Sequence, residues 1–134
     1  MISQLVYVSS ATTPFGSDDL AQILAVSRRN NVRNGVTGAL LYSGGEILQA
    51  LEGPETAVEG IYERIRADPR HHSVRTVLRG TASQRAFPDW SMGLRTADEL
   101  PEDERDGVRS LFELTRTGPM RARVLLASFR GYVH

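Results

Sequence analysis

Two polar side chains occur where the hydrophobic pattern of this sequence predicts a protein core. Gln49 alternates with Ile47 and Leu51 in one predicted strand, and Tyr7 follows Leu5 in another. A buried amide or hydroxyl without a partner costs about 1–3 kcal/mol, so each must form hydrogen bonds. Gln49 and Tyr7 could form a hydrogen bond with each other or with a bound ligand. The pattern alone leaves two simpler interpretations open, namely that Gln49 bonds a neighbouring backbone group and that Tyr7 is an ordinary core residue.

A third polar position lies on the first predicted helix. Asn31 follows Ser27 and Ile23 at intervals of four residues, so the inward stripe of the helix becomes polar at its end. A helix C-cap is a common role for a terminal asparagine. Capping by Asn30 or Asn31 would explain one asparagine, but not both together with Ser27.

A charged cluster follows the second predicted helix. It could hold a phosphate or the polar edge of a ligand, or it could be a solvated helix end with a histidine favoured by the helix dipole. Its members are Arg64, Asp68, Arg70, His71 and His72. A planar ring with several acceptors and an amide edge would satisfy Gln49, Asn31 and Tyr7 together. The pattern predicts a polar-lined pocket between two helices, but it does not name the ring.

Composition excludes several classes of function. The 134 residues carry 16 basic and 16 acidic side chains, whereas a nucleic-acid-binding protein usually has a basic excess, so direct nucleic-acid binding is not expected. The absence of cysteine excludes thiolate nucleophiles, cysteine-based zinc sites and photochemistry through a cysteinyl adduct. With three histidines, two of them adjacent, no metal site is expected.

The same survey predicts a cytoplasmic protein that does not enter the membrane. No stretch approaches the roughly 20 apolar residues that span a bilayer. The first residues, MISQLVYVSS, lack the basic start and apolar run of a secretory signal.

Periodicity and turn residues predict the elements that position these side chains. The predicted order is β-α-β-β-α-β-β, which indicates an α+β, ferredoxin-like fold with both helices on one face of the sheet. The predicted strands are Ile2–Ser9, Val36–Tyr42, Ile47–Glu52, Val74–Arg79 and Trp90–Arg95. Helix one is predicted from an N-cap at Ser17 to about Asn31, and helix two from Pro54 to Asp68.

The C-terminal part of the chain is predicted to cover the other face of the sheet. Two amphipathic segments, Pro101–Thr115 and Pro119–Val133, are separated by Gly118 and predict two short helices. Leu111, Phe112, Leu125 and Phe129 are their expected contacts with the sheet. The predicted organisation is therefore a domain over 1–97 and a helical extension over 98–134.

Six segments of the sequence, in one register from Met1 to about Leu94, are similar to the BLUF family, the sensors of blue light using FAD. They are Leu5-Val6-Tyr7, Ser27-Arg28-Arg29-Asn30-Asn31, Val36-Thr37-Gly38-Ala39-Leu40-Leu41-Tyr42-Ser43, Leu48-Gln49-Ala50-Leu51-Glu52-Gly53, Asp68-Pro69-Arg70-His71-His72 and Phe87-Pro88-Asp89-Trp90-Ser91-Met92-Gly93. The similarity of each segment alone is modest, but six similar segments in the same order make a chance resemblance improbable.

The resemblance implies a non-covalently bound FAD, or FMN, between the two helices. Tyr7 then matches the photoactive tyrosine, Gln49 the switching glutamine and Asn31 a flavin-binding asparagine, while Trp90 and Met92 match a mobile pair on strand five. The remaining residues that the resemblance assigns to flavin binding are Ile23, Ser27, Asn30, Leu40, Arg64, Ile65, Asp68, Arg70 and His71.

The resemblance also implies how such a protein works. Excited flavin takes an electron and a proton from Tyr7, Gln49 rearranges by rotation or tautomerisation, and the flavin absorption shifts to the red. The chain is then a photoreceptor rather than an enzyme, and it is expected to signal to a separate downstream protein and to form a homo-oligomer.

Two alternatives share the predicted fold. A small acylphosphatase-like hydrolase would use a phosphate-binding loop after strand one, but Ala11–Ser17 contains no arginine. The second alternative is a light-independent interaction module or an RNA-binding module, although the aromatic-rich sheet motif expected for binding single-stranded RNA is missing. The colour of the purified protein separates these alternatives, because a flavin would make it yellow.

Overall fold

The computed structural model describes residues 1–89, 91–117, 126–129 and 131. The strands are β1 (Ile2–Ala11), β2 (Thr37–Ser43), β3 (Glu46–Gly53), β4 (His71–Ala82) and β5 (Gly93–Thr96). The helices are α1 (Ser17–Asn34), α2 (Glu55–Arg66) and α3 (Glu102–Thr117), and a short 3₁₀ turn, Ala97–Glu99, precedes α3. Residues 126–129 are also helical.

The strands form one mixed sheet in the order β4-β1-β3-β2-β5. β1 is antiparallel to both β3 and β4, β2 is antiparallel to β3, and the short β5 runs parallel to β2. α1 and α2 lie on one face, where their apolar side chains pack with those of β1, β2 and β3. The predicted α+β, ferredoxin-like fold is confirmed.

The register of the central strands fixes which side chains face the two main helices. Tyr7 lies directly opposite Gln49, and Leu5 lies opposite Leu51. Because side chains alternate along a strand, these four residues point to the face that α1 and α2 cover. The strand pairing therefore brings the two polar residues together in the layer that the sequence predicted.

The opposite face of the sheet is covered by α3 and the helical residues 126–129. Side chains from both sides form one apolar cluster, which includes Val6, Leu48, Ala50, Val108, Leu111, Phe112, Leu126 and Phe129. The predicted contacts of Leu111, Phe112 and Phe129 with the sheet are present, whereas Leu125 lies outside the described residues. Covering this face removes a large apolar patch from water.

Two predicted ends of α1 were wrong. Gly16, rather than Ser17, is the N-cap residue, and the carboxylate of Asp19 accepts a hydrogen bond from its N–H at 2.9 Å. The helix ends three residues later than predicted, at Asn34, because Gly35 takes the left-handed conformation (φ 69°) that commonly ends a helix. Asn31 is therefore a buried residue of the last turns and not the cap.

The start of the fifth strand was also predicted incorrectly. β5 begins at Gly93 instead of Trp90, so Met92 precedes the strand. The carbonyl oxygens of Ser91 and Met92 accept hydrogen bonds from side chains of α1, and this replaces strand pairing at these positions. Within the described residues, no helix combines the length and apolar composition needed to cross a membrane.

Candidate functional site

A cavity of about 160 Å³ lies between α1, α2 and the sheet. Every residue that the resemblance assigned to direct flavin contact lines it. These residues are Tyr7, Ile23, Ser27, Asn30, Asn31, Leu40, Gln49, Arg64, Ile65, Asp68, Arg70 and His71. The fold thus brings together residues that are up to 64 positions apart in the sequence, and their contact with a flavin remains a prediction.

The inner wall of the cavity carries a hydrogen-bonded pair, Tyr7 and Gln49. The Tyr7 hydroxyl donates to Oε1 of Gln49, and both side chains are almost fully buried. The other end of the amide, Nε2, donates to Sδ of Met92 at 3.5 Å. Gln49 therefore connects the tyrosine on β1 to the segment that leads into β5.

The environment of Tyr7 keeps its hydroxyl protonated. Burial raises the pKa of Tyr7 far above its ordinary value, and the neighbouring Tyr62 and Asp68 raise it further. The ring of Tyr62 lies 5.5 Å from that of Tyr7, between centroids. The Tyr7 hydroxyl is consequently a hydrogen-bond donor over the whole physiological pH range.

Asn31 lies at the buried edge of the cavity, on α1. Its side chain is 1% exposed, and Nδ2 donates to the carbonyl oxygen of Ser91 at 2.6 Å. One turn earlier, Nε of Arg28 donates to the carbonyl oxygen of Met92 at 3.2 Å. α1 therefore holds the segment before β5 against the cavity. Met92 is buried there, whereas Trp90 lies outside the described residues.

The outer end of the cavity is charged. Arg70 forms a two-pronged ion pair with Asp68, with an Nη2–Oδ2 distance of 2.5 Å. Hydrogen bonding from Arg70 is the main cause that lowers the pKa of Asp68, and the same bond raises the pKa of Arg70. Arg64 is exposed, and its guanidinium has no ion-pair partner among the described residues.

Contacts within the protein occupy both ring nitrogens of His71. Nδ1 lies 2.8 Å from Oγ of Ser9, and Nε2 lies 2.5 Å from the carbonyl oxygen of Ile65. These bonds tie the start of β4 to β1 and to the end of α2. The described residues contain no group of three or more histidine or acidic side chains that could hold a metal ion.

The sequence analysis did not assign several apolar residues of the cavity wall. They are Phe15, Leu20, Val26, Ile47 and Ile61. The Phe15 ring stacks on Tyr42 at 5.4 Å between centroids, and its backbone N–H donates to the Tyr42 hydroxyl at 2.9 Å. A bulky apolar residue between Pro14 and Gly16, in a loop, was the signal that could have identified Phe15.

Comparisons with known proteins agree with this geometry. Residues 2–93 match the family described as "BLUF: Sensors of blue-light using FAD". The photoactivated adenylate cyclase subunit beta of Euglena gracilis is 39% identical over 100 residues, which cover 74% of this chain but 12% of that protein. The chain therefore spans only a small part of the length of this relative.

Solved structures give the same result. The dark-state structure of BlrB, a BLUF protein, has a TM-score of 0.82 and 33% identity, and the match covers 97% of this chain and 96% of that one. Klebsiella pneumoniae BlrP1, solved with FMN and cyclic diGMP, has a TM-score of 0.71 and 30% identity over 77% of this chain and 28% of that one. With a sheet, a cavity and a Tyr7–Gln49 pair in this arrangement, the chain belongs to the BLUF family of blue-light sensors that use FAD.

Proposed function

We propose that the cavity between α1 and α2 holds FAD, or alternatively FMN, and that Gln49 is the switch by which the chain reports blue light. The observation that carries this proposal is the buried hydrogen bond from Tyr7 to Gln49 in the cavity wall. A glutamine on an apolar sheet face, with a tyrosine at one end of its amide and a thioether at the other, can change partners when its surroundings change.

The residues of the cavity fit a flavin. A flavin has a flat ring with broad apolar faces, a polar edge and a phosphate-bearing tail. Ile23, Ile65 and Leu40 supply apolar walls, and Asn31 and Gln49 supply amides at the buried end. Arg64 at the exposed end supplies a cation for a phosphate. When bound, the flavin would absorb the light and accept an electron.

The geometry of Gln49 allows two arrangements of its amide. In the structure, Oε1 accepts from Tyr7 and Nε2 points to the sulfur of Met92, which is a weak acceptor. Rotating the amide by half a turn would place Nε2 beside the Tyr7 oxygen and Oε1 beside Met92. Tyr7 would then accept where it had donated. Such a local exchange of donor and acceptor is the kind of event that biases a two-state element.

A sensor is favoured over a hydrolase by the same site. Tyr7, whose pKa burial raises, is a poor nucleophile at neutral pH because it stays protonated. The family match over residues 2–93 is to sensors. We therefore propose that the chain performs no catalysis itself.

We propose that output passes to a separate signalling protein. In Euglena gracilis a similar domain occurs in a subunit named a photoactivated adenylate cyclase, which shows that a domain of this kind accompanies an effector there. In this chain residues 1–97 would be the sensor and 98–134 the extension that transmits the change. The proposal includes a homo-oligomer in the cytoplasm, without direct binding to nucleic acid or membrane.

Purified protein is expected to be yellow and to release a flavin when it is denatured by heat. Chromatography of the released material, against FAD and FMN standards, identifies the cofactor. Reconstitution of the apoprotein with each flavin tests retention directly. Protein that retains neither flavin after reconstitution would contradict the proposed function.

Illumination is expected to change amide hydrogen exchange in β5, α3 and residues 126–129 more than in α2. Met92 contacts Gln49 and directly precedes β5, and Phe87 upstream of it contacts Phe129, with ring centroids 5.6 Å apart. Exchange measured by mass spectrometry in dark and light, with α2 as the internal reference, tests this route. Equal exchange in both states throughout β5 and α3 would show that the signal leaves elsewhere.

A further inference from the structure

A buried glutamate, Glu52, lies on the sheet face away from the cavity. It is 0% exposed and shares its face with Leu48 and Ala50, which are part of the apolar cluster under α3. A carboxylate in such a place is costly unless hydrogen bonds compensate for its lost hydration. The sequence analysis named Glu52 only as part of a family segment, although a charged residue in phase with Leu48 and Ala50 was the signal for it.

Three donors from two different parts of the chain surround the Glu52 carboxylate. Nε2 of Gln4, on the adjacent β1, donates to Oε2 at 2.8 Å. The backbone N–H of Ala86 also donates to Oε2, at 2.8 Å, and that of Phe87 donates to Oε1 at 2.7 Å. Both oxygens act as acceptors, which is the role of an ionised carboxylate.

The two backbone donors belong to the segment 83–92, which connects β4 to β5. Arg85 in the same segment donates to the backbone oxygens of Glu52 at 3.1 Å and Gly35 at 2.7 Å. The other end of the segment is held by α1, through the carbonyl oxygens of Ser91 and Met92. The segment is thus fixed at its start by the far face of β3 and at its end beside the cavity.

β3 therefore contacts this segment twice, from opposite faces. Gln49 contacts Met92 on the cavity face, and Glu52, three residues along the strand, binds Ala86 and Phe87 on the other. If Ala86 and Phe87 were not bound to Glu52, the backbone before Met92 could adjust to a small displacement of Met92, and no other part of the structure would have to move. Because Ala86 and Phe87 are bound to Glu52, the backbone before Met92 has fewer conformations with which to adjust.

We propose that Glu52 is a positioning residue for light sensing: its carboxylate anchors residues 86–87, so that a change at Gln49 is converted into a defined movement of Ser91 and Met92. The inference rests on the proposed function, because it assumes that Gln49 switches.

A hydrophobic residue at position 52 could not take over the contacts of the carboxylate. A leucine at position 52 would extend the apolar face of Leu48 and Ala50, but it would offer no acceptor to the N–H groups of Ala86 and Phe87. The carboxylate therefore fixes the backbone position of Ala86 and Phe87 relative to β3.

The test compares Glu52→Gln with Glu55→Gln, an exchange of the same type at an exposed position three residues later. In Glu52→Gln, an amide N–H₂ group replaces one of the two acceptor oxygens. This group cannot accept a hydrogen bond from Gln4, Ala86 or Phe87. The full chain, loaded with flavin, is measured in dark and light. The fluorescence of Trp90, the only tryptophan, reports the end of the segment, and amide exchange at Ala86 and Phe87 reports its start.

Glu52→Gln is expected to retain flavin and its red shift. Exchange at Ala86 and Phe87 should be about tenfold faster or more, as expected when a buried donor loses its acceptor. The light-induced change in Trp90 fluorescence should fall to about half or less of the change in Glu55→Gln, because a loosened segment no longer moves as a unit. A fluorescence change equal to that of Glu55→Gln, in a chain that photoswitches, would overturn the inference.

A second measurement does not depend on the folding of the variant. In the unsubstituted chain, the N–H groups of Ala86 and Phe87 should stay protected in both dark and light while exchange at residues 91–92 changes. Rapid exchange at Ala86 and Phe87 in the dark would show that no anchor exists. Absence of any red shift in the unsubstituted chain would instead contradict the proposed function.

Discussion

A Gln49→Leu variant is expected to bind flavin and to show no light-induced red shift. Leucine preserves most of the volume of the side chain but removes both ends of the amide, which contact Tyr7 and Met92. The residues that form the remaining walls of the cavity are untouched, so retention of flavin should persist. The difference between dark and light absorption spectra is the measurement.

The effect of Gln49→Leu on stability has to be separated from its effect on the red shift. Removing Gln49 leaves the buried Tyr7 hydroxyl without its acceptor, which should lower stability by about 1–3 kcal/mol. Thermal unfolding of the flavin-loaded variant measures this loss. Gln22→Leu, an exchange of the same type on the exposed side of α1, should retain the full red shift. A normal shift in Gln49→Leu would exclude Gln49 as the switch.

The central part of the fold could be predicted because each strand has a clear alternation. Leu5 and Tyr7 on β1, and Gln49 and Leu51 on β3, point to one face in both the prediction and the structure. An alternating pattern specifies the face of every residue as soon as the strand is recognised. The pairing of Tyr7 with Gln49 then depends on the register between the antiparallel strands β1 and β3.

The ends of elements were harder to predict, because long-range side-chain contacts decide them. The sequence around Trp90–Arg95 has a strand-like pattern, but Asn31 and Arg28 bind the carbonyl oxygens of residues 91 and 92. β5 consequently starts later than predicted. Likewise β4 extends over His71–Ala82, well beyond the predicted Val74–Arg79, because β1 pairs with it along its length despite two irregularities in register.

The residues that line the cavity also divide into those that the sequence predicts and those that it does not. Its polar residues stand out in the sequence because they interrupt apolar stripes, as Gln49 and Asn31 do. Apolar wall residues such as Leu20 and Ile61 look like ordinary core residues, and only the gap between α1 and α2 distinguishes them. Which core residues border a cavity is a property of packing between helices and cannot be predicted from periodicity.

Asn31 has two roles in one side chain. It lines the cavity, and its Nδ2 holds the carbonyl oxygen of Ser91 at 2.6 Å. Binding of a flavin edge would use the groups of the amide that Ser91 does not occupy. A substitution at this position should therefore affect both cofactor affinity and the segment before β5.

Asn31→Ala is expected to weaken flavin binding by about ten- to a hundredfold, which corresponds to the loss of about 1–3 kcal/mol from a buried polar contact. Titration of the apoprotein with FAD, followed by the quenching of flavin fluorescence, measures the dissociation constant. The matched control is Asn34→Ala on the same helix, because within the described part of the chain its Nδ2 donates only to the backbone oxygen of Asn30, at 2.7 Å. Asn34→Ala should bind FAD like the unsubstituted chain. If Asn31→Ala also binds FAD with unchanged affinity, Asn31 serves only to hold Ser91, and the polar edge of the flavin must be recognised by Gln49 and the residues around it.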